Sequence, residues 1–544
     1  MIKKSICILL SAIIFLCAFS ACGGDDDISL VMPISADPLC LDPQIAETQT
    51  AKTIIKNCYE GLVRLDSENK IVSGVAESWT VSDNGLEYTF KLREDTNWQL
   101  LKTYKDVLDD ENYMENFKTQ VTAHDFEFAL KRAVDKITDS PDADKLYCIK
   151  NAQKIHNGEA DKSTLGVKAK DDRTLVINLE RANPDFLRIL TLPLCMPCNE
   201  EFFKATNAKY GLELKYTFCN GPFYLGRWTV DHSVVMYRNE GYKGNEKVKP
   251  TAIYLNINKE EDSIITKLKQ NDYSCAYLSD ASRFSLTETK MTFGVTENSV
   301  SGISFNCKDA FMSNVNLRQA LLILTKTDAM TVPQQSTGKA VGIIPLACRY
   351  SDSSYREAAG NLSVPKYDEA VALELWKKGL EENGSESATI KIICPQEYLG
   401  SMQKIIQNWQ KVLSTTIVAK VEAVSAETLK DAIRNGKYQL AVTEITASSS
   451  TPTDMLKNFT TDNSKNIFGY SDPVYDELVN KIICEHSGTE ILSNTKNAEQ
   501  MLLANAVFLP LFNYGDYLAL SSDTTGVFAS PAFEGVNFIS GGLD

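Results

Sequence analysis

The stretch Trp79–Arg93, WTVSDNGLEYTFKLR, predicts a β-hairpin. At its centre is the pair Asn84-Gly85, which supplies the positive φ angles that a tight two-residue turn needs. On the C-terminal side of this pair, apolar and polar residues alternate, as in a strand with one buried face. Further along the chain, segments with strand and helix patterns continue to alternate. This alternation favours an α/β architecture.

The residues after this hairpin predict a loop followed by a helix. The segment Leu100–Gln120 is polar, contains three consecutive acidic residues and is predicted to be an exposed loop. Thr122 then stands in the N-cap position of a helix, with Asp125 three residues later in the place of the capping-box acid. One face of this predicted helix is apolar and carries Phe126, Ala129, Leu130, Ala133 and Ile137.

The beginning of the chain has the features of a secretory signal. Two lysines precede the apolar run Ile6–Phe19, which is shorter than the about 20 residues that a membrane-spanning helix needs. Cys22 directly follows two small residues, an arrangement that resembles the lipobox of bacterial lipoproteins, in which the cysteine is acylated. We therefore predict a lipoprotein signal peptide at 1–21, lipidation of Cys22 and a flexible tether at 22–27. An ordinary signal peptide cut at the same place is the alternative.

The composition is that of a large acidic globular protein. The chain has 544 residues, more than one hydrophobic core usually serves, so two or more lobes are expected. Hydrophobic residues make up 43% and charged residues 23%, which are ordinary values. The net charge of −15 argues against nucleic acid and against anionic lipid as partners, because both bind clustered lysine and arginine.

No motif indicates catalysis or a resident metal. The sequence lacks a Gly-rich phosphate loop, an HExxH motif and a G-x-S-x-G motif, and its four histidines lie far apart. Cys195 and Cys198 have the spacing of a redox or zinc pair. However, no second such pair and no nearby histidine pair completes a ligand set, so a structural role is favoured. We therefore predict no catalytic residue, no metal site and no cofactor.

A series of short motifs runs along nearly the whole chain. They are Leu41-Asp42-Pro43, Tyr59-Glu60-Gly61-Leu62-Val63, Val75-Ala76-Glu77-Ser78-Trp79, Tyr88–Arg93, Val121–Phe126, Leu165–Asp172, Asn220-Gly221-Pro222-Phe223, Val315–Leu321, Tyr470–Asp476 and Leu509-Pro510-Leu511-Phe512. In order and spacing they resemble the family 5 bacterial extracellular solute-binding proteins. These are the oligopeptide, dipeptide and nickel receptors of ABC importers.

The resemblance implies an α/β, two-lobed periplasmic-binding-protein-like fold. It is the class II type, in the three-domain variant of the peptide receptors, with a hinge between the lobes. A ligand would be enclosed by closure of this hinge, and the importer would recognise the closed form. The implied boundaries are 28–58 plus 183–290 plus 508–544 for the core domain of lobe I, 59–182 for its accessory domain and 291–507 for lobe II.

The resemblance also locates candidate ligand contacts. Relatives pair the ammonium of a peptide with the aspartate of a Trp-x-x-Asp-Tyr segment, and Ser448 occupies the aspartate position here. A neutral serine cannot make the charge-assisted bond with an ammonium. Either Glu444 or Asp454 takes the role of the missing aspartate, or the Ser/Thr-rich segment 447–453 binds a neutral, hydroxyl-rich ligand. The candidates in this region are Glu444, Ile445, Thr446, Ser448 and Ser449. Two further candidates, Glu47 and Thr48, follow the Leu-Asp-Pro turn, with a surface-loop role as the alternative.

The sequence thus predicts a monomeric substrate-binding lipoprotein of an ABC importer, without catalytic activity. We expect it on the outer face of the cytoplasmic membrane, where it passes a peptide-like solute to a permease and its ATPase. An oligosaccharide or metal-chelate receptor on the same scaffold is one alternative. An extracellular hydrolase is the alternative from another class.

Overall fold

The structure is a computed structural model. It describes residues 27–544 except 69, 184, 245, 279–285, 287–290, 328–329, 334–335, 351–352, 363–364, 448, 485–487 and 530–534. The predicted signal peptide, the predicted lipidation site Cys22 and all of the predicted tether except Asp27 lie outside the described residues. Among the described helices, none is long and apolar enough to cross a membrane.

The strands are β1 Ser29–Ile34, β2 Val63–Leu65, β3 Ile71–Ser73, β4 Ala76–Val81, β5 Glu87–Leu92, β6 Val167–Asp171, β7 Thr174–Asn178, β8 Phe223–Thr229, β9 Ser233–Arg238, β10 Ala252–Ile257, β11 Cys275–Leu278, β12 Thr292–Phe305, β13 Gly338–Lys339, β14 Arg349–Tyr350, β15 Ser353–Ser354, β16 Ala388–Cys394, β17 Ile417–Ala423, β18 Leu440–Thr446, β19 Phe508–Leu520, β20 Thr524–Thr525, β21 Phe528–Ala529, β22 Val536–Asn537 and β23 Gly542–Leu543.

The α-helices are α1 Gln49–Cys58, α2 Lys105–Leu108, α3 Tyr113–Asn116, α4 Ala123–Val134, α5 Ala152–His156, α6 Phe186–Ile189, α7 Glu200–Ala205, α8 Glu261–Lys269, α9 Val315–Ile323, α10 Tyr355–Ala359, α11 Glu369–Glu382, α12 Leu399–Leu413, α13 Ala426–Arg434, α14 Pro452–Lys457, α15 Pro473–Cys484 and α16 Gly488–Ala504.

Lobe I contains two four-stranded sheets. One has the order β1-β10-β9-β8, with β1 parallel to β10, and the other is the antiparallel sheet β4-β5-β7-β6. The predicted hairpin is confirmed as β4 and β5, and Gly85 in its turn has φ +69°. The alternating side chains Tyr88, Phe90 and Leu92 of β5 are buried in the lobe I core.

Helix α4 begins as the sequence predicts. Thr122 and Asp125 form a capping box, in which the Thr122 amide donates to Asp125 Oδ2 at 2.7 Å. The predicted apolar face is buried as far as Ala133. Ile137, however, was assigned wrongly to this face, because the helix ends at Val134 and Ile137 is 90% exposed. Periodicity alone could not locate this helix end.

The prediction of an exposed loop at Leu100–Gln120 is wrong. The segment contains α2 and α3, and it buries Tyr104 and Tyr113. The Tyr104 hydroxyl donates to the Thr217 carbonyl at 2.6 Å, and the ring packs edge-on against Phe218. Because two aromatic side chains anchor it, this polar segment is a folded part of lobe I.

Two of the sequence motifs hold separate segments of lobe I together. The Asn220 side chain donates to the Glu60 carbonyl at 2.9 Å and accepts from the Glu60 amide at 3.1 Å. The Gly221 amide donates to the Cys58 carbonyl at 2.9 Å. A Cβ at position 221 would lie 2.6 Å from the Cys58 carbonyl carbon, so only glycine allows this approach.

Lobe II is built around a sheet with the order β11-β19-β12-β18-β16-β17, with β13 paired to β19. Strand β16 is parallel to β17 and β18, whereas β12, β18 and β19 pair antiparallel. One face packs against α9, α11 and α12, and the other against α10, α15 and α16. Strand β17 forms one edge of this sheet.

Strands β12 and β19 continue from lobe II into lobe I. Phe512 of β19 belongs to the lobe II core, and Leu518 of the same strand belongs to the lobe I core. Their pairing shifts register between Thr296 and Ser299, next to Gly515. A Cβ at Gly515 would lie 2.6 Å from the Thr296 carbonyl oxygen. These crossing strands bear out the two-lobed α/β fold, and the irregularity marks the place where the strands pass between lobes.

The Leu-Asp-Pro motif supplies a buried ion pair in lobe I. Arg132 of α4 donates from Nη2 to Asp42 Oδ2 at 2.5 Å and from Nη1 to Gln44 Oε1 at 2.7 Å. Its guanidinium also lies 3.9 Å from the centre of the Phe203 ring. Both charged side chains are at most 10% exposed, so each depends on the other for compensation.

We expect Arg132→Met to lower the free energy of unfolding by about 3–5 kcal/mol, because it leaves the Asp42 carboxylate buried without a cation. Urea unfolding of the purified protein measures this change. Lys204→Met is the matched control, since Lys204 pairs with Glu200 on the surface at 2.9 Å with 70% of its side chain exposed. It should change the stability by less than about 1 kcal/mol. Equal urea midpoints for the two variants would contradict a stabilising role of the buried Arg132–Asp42 ion pair.

Candidate ligand-binding site

A small cavity of about 110 Å³ lies between the two lobes. Lobe I contributes Lys145 and Arg188 to its walls, and lobe II contributes Ser449, Thr451 and Asp454. The lobe II residues follow β18, where the chain leaves the sheet and enters α14. The sequence thus brings a Ser/Thr-rich loop and a helix start against lobe I.

Lysines and aspartates alternate across this interface. Lys457 lies 3.3 Å from Asp454 in its own helix and 3.7 Å from Asp144 of lobe I. Lys145 lies 2.9 Å from Asp142. Burial favours the neutral form of Asp454, but Lys457, Lys145 and the Ser449 hydroxyl outweigh it and hold the pKa of Asp454 below its usual range. Asp454 is therefore ionised and already compensated by protein cations.

Of the candidates in the loop, Ser449 lines this cavity. Its hydroxyl donates to Asp454 Oδ2 and lies 2.9 Å from the Thr451 hydroxyl. Ser448 lies outside the described residues. Ile445 is 9% exposed and packs in the apolar cluster of lobe II that contains Phe508. Ser449 thus has its polar group at the interface, whereas the side chain of Ile445 is part of the core.

Glu444 and Thr446 lie near the end of β18, on the strand face opposite to Ile445. The Thr446 hydroxyl is 2.9 Å from that of Ser299 in β12. Glu444 is an exposed residue, but protein atoms surround its carboxylate enough to raise its pKa. The negative charge of Asp516 adds to this effect, and a hydrogen bond from Ser299 opposes it. The structure thus brings Glu444 close to the crossing strands.

Glu47 and Thr48 precede α1 in lobe I. Thr48 is the N-cap of this helix, and its hydroxyl oxygen accepts from the Ala51 amide at 3.1 Å. Glu47 is exposed. The capping role accounts for Thr48 without a ligand, and both residues stay predictions as ligand contacts.

Two of the larger cavities contain residues of the central strands, Glu444 of β18 in one and Asp516 of β19 in the other. A groove of about 1500 Å³ in lobe II is lined by Glu444, Gln396 and residues of α13. A cavity of about 620 Å³ in lobe I is lined by Ile34, Gln49, Tyr277 and Asp516. Ligand pockets for molecules of drug size measure roughly 300–1,000 Å³, so both are large enough for a solute, whereas the small cavity is below this range.

Sequence reasoning missed several polar residues of these sites. Lys145, Lys457 and Asp516 lie in segments that carry no distinctive motif, and Lys145 reaches Asp454 only through contact of the lobes. The one available signal was the clustering of Asp142, Asp144 and Lys145 in a short polar segment. Such clusters are common on surfaces, so this signal is weak.

The pair Cys195 and Cys198 is buried in lobe I. Burial raises the pKa of the Cys198 thiol to about 12, with the Arg132 guanidinium 3.4 Å away and opposing the shift. A thiol with so high a pKa is a poor nucleophile and a poor metal ligand. Among the described residues, no cluster of three metal-binding side chains occurs.

Comparison with known proteins identifies the family of this chain. The sequence profile of the family described as bacterial extracellular solute-binding proteins, family 5 Middle, matches residues 70–466. The chain belongs to this family.

Relatives of this solute-binding protein match it over nearly its whole length. The dipeptide-binding protein DppE of Bacillus subtilis is 26% identical over 511 residues, covering 91% of this chain and 88% of the relative. The oligopeptide-binding protein OppA of the same species is 25% identical, covering 96% and 97%. The fold is shared with Listeria monocytogenes OppA bound to peptide, at a TM-score of 0.69, 23% identity and coverage of 96% and 99%.

We expect Asp454→Asn to destabilise the solute-binding protein by about 1–3 kcal/mol at neutral pH, because it leaves two lysines short of a carboxylate. A carboxyl group whose pKa is lower in the folded state than in the unfolded state stabilises the fold above the unfolded-state pKa of about 4. This stabilisation is lost as the pH falls through the lower pKa of the folded state. The gap between wild type and variant should therefore close below about pH 4.

Thermal unfolding from pH 3 to pH 7 measures this gap. The control is Asp462→Asn, the same substitution at an exposed position. The stability of this variant should equal that of the wild type at every pH. A gap that persists unchanged at acid pH would show that the charge of Asp454 is not the source.

Proposed function

We propose that this solute-binding protein captures peptides between its lobes and delivers them to the permease of an ABC importer. The observation that carries the proposal is the match, over nearly the full length of both chains, to a dipeptide-binding and an oligopeptide-binding protein. The small cavity supports it because residues of both lobes line its walls, and the larger cavities of the two lobes provide room for a solute.

Closure is a shift between an open and a closed population. A ligand shifts this equilibrium only by the difference in its affinity for the two forms, so it must contact both lobes in the closed one. The Lys457–Asp144 contact between the lobes is partly exposed, and exposed ion pairs contribute less than about 1 kcal/mol. Such a weak contact stabilises the closed form only slightly, so the ligand determines whether the open or the closed form predominates.

The proposed ligand contacts fall into two groups. Glu444 lines the lobe II groove, Ser449 lines the small cavity between the lobes, and Thr446 lies on the same strand face as Glu444; these three are the better-supported contacts. The others are Glu47, Thr48, Ile445 and Ser448, which we retain as candidates on the strength of the family resemblance. Thr48 and Ile445 would contact a ligand only through backbone atoms, because their side chains cap a helix and fill the core.

We further propose that the mature protein is a monomeric lipoprotein, anchored through Cys22 to the outer face of the cytoplasmic membrane. A lipid anchor raises the effective concentration of the receptor near its permease without a tight protein contact. The permease and its ATPase are the expected partners.

Cys22→Ser should move the protein from the membrane fraction to the soluble fraction, because the substitution removes the acylated thiol. Cell fractionation followed by immunoblotting measures the distribution. Cys40→Ser, which alters a cysteine inside lobe I, is the control and should remain with the membrane. Membrane association of the Cys22 variant would refute the anchor.

A thermal-shift screen with short peptides and oligosaccharides tests the solute class. A ligand at one hundred times its Kd should stabilise the protein by about 2.7 kcal/mol. Stabilisation by peptides alone supports the proposal. Stabilisation by oligosaccharides or metal chelates alone would establish the alternative receptor. Turnover of peptide or glycoside substrates by the purified protein would favour the hydrolase alternative.

A further inference from the structure

The charges around the two large cavities are unevenly distributed. Five cationic residues line the lobe II groove together with three acidic ones, although the whole chain carries a net charge of −15. The cations are Lys308, Lys391, Lys430, Arg434 and Lys437. Glu444 lines the same groove at the hinge, and Asp516 lines the neighbouring cavity of lobe I.

Several of these cations are available to a ligand. Lys391 pairs with Glu422 at 2.5 Å. Within the described part of the chain, by contrast, Lys430 and Lys437 make no ion pair. Arg434 lies 4.0 Å from Asp431, and both side chains are more than 60% exposed, which makes this contact weak. Lys430 and Arg434 stand one helical turn apart on α13, so their cationic ends point in similar directions.

The groove also offers an apolar surface beside these cations. Helix α13 has no fully buried residue, and its Leu429 and Ile433 line the groove together with Ile393 of β16. Leu429 and Ile433 pack against the apolar cluster of Ile393, Tyr438 and Ala441 and are only partly buried there. Part of their apolar surface therefore stays open beside the cations.

The carboxylates at the hinge differ from Asp454. Asp454 has two lysines as partners, so a ligand ammonium would have to displace them. Among the described residues, Glu444 and Asp516 make no ion pair. Asp516 accepts a hydrogen bond from Asn298 at 2.9 Å. Burial raises the pKa of both carboxyl groups, as expected for anions that lack a cation.

We propose that the lobe II groove and the lobe I cavity that contains Asp516 together bind an acidic peptide with a free amino terminus. Its ammonium lies between Glu444 and Asp516, and its acidic side chains lie along α13 against Lys430 and Arg434. This inference rests on the proposed function. It names the class of peptide and assigns the ammonium to the hinge carboxylates, in place of the family's aspartate at the position of Ser448.

Isothermal titration calorimetry with three matched tetrapeptides tests the ligand class. The probes are AEEA, AKKA and N-acetyl-AEEA. AEEA should bind at least about tenfold more tightly than either of the others, because each of them loses one set of charge-assisted contacts. Equal affinities for AEEA and AKKA would overturn the assignment of the groove, and equal affinities for AEEA and its acetylated form would overturn the ammonium site.

Two sets of variants test the residues. Lys430→Glu combined with Arg434→Glu should weaken AEEA at least about tenfold and leave the neutral peptide AAAA unchanged. The control reverses two exposed cations on the far side of lobe II, Lys377→Glu with Lys378→Glu, and should not alter binding. Wild-type affinity for AEEA in the α13 variant would refute the role of the groove.

Glu444→Gln alone, and with Asp516→Asn, should weaken AEEA progressively and leave N-acetyl-AEEA unchanged. The single variant alters an exposed residue, so it keeps the test valid if the double variant folds poorly. Equal losses for both peptides would refute the ammonium site. If no peptide binds the wild-type protein, the proposed function itself fails. If peptides bind without regard to charge, only the present inference fails.

Discussion

The structure depends on two strands that belong to both hydrophobic cores. Strand β19 carries Phe512 into the core of lobe II and Leu518 into the core of lobe I, and β12 accompanies it over most of its length. Because each end is held by a separate core, the lobes can rotate only about the short stretch between them. In that stretch the register is irregular and Gly515 lies against the Thr296 carbonyl. Hinge motions need a few such positions that absorb changes in backbone angles.

The same constraint explains why the charged groups of the cleft fall into two kinds. Groups near the hinge, such as Asp516, lie on strands that belong to both lobes. Groups distant from the hinge, such as Lys457 and Asp144, come from different lobes and lie 3.7 Å apart. The distant groups already compensate one another, whereas the hinge carboxylates do not.

Much of the scaffold was predictable because its signals are local. The turn at Asn84-Gly85, the capping box at Thr122 and the glycine at 221 each act within a few residues or through one close backbone contact. Errors arose where distant packing decides the outcome. The segment Leu100–Gln120 reads as a polar loop, yet Tyr104 and Tyr113 anchor it against parts of the chain that are remote in sequence.

The amino-acid sequence by itself determined the α/β class, because strand and helix patterns alternate along the chain, and it determined the family and the implied two-lobed scaffold through motifs that resemble that family in order and spacing. Only the tertiary structure decided which carboxylates have a cationic partner: Asp454 has one, whereas Glu444 and Asp516 make no ion pair among the described residues. Ion pairing depends on distances between segments such as 142–145 and 454–457, which lie in different lobes. No local pattern encodes that proximity, so the availability of Glu444 and Asp516, in contrast to Asp454, emerges only when the two lobes are brought together.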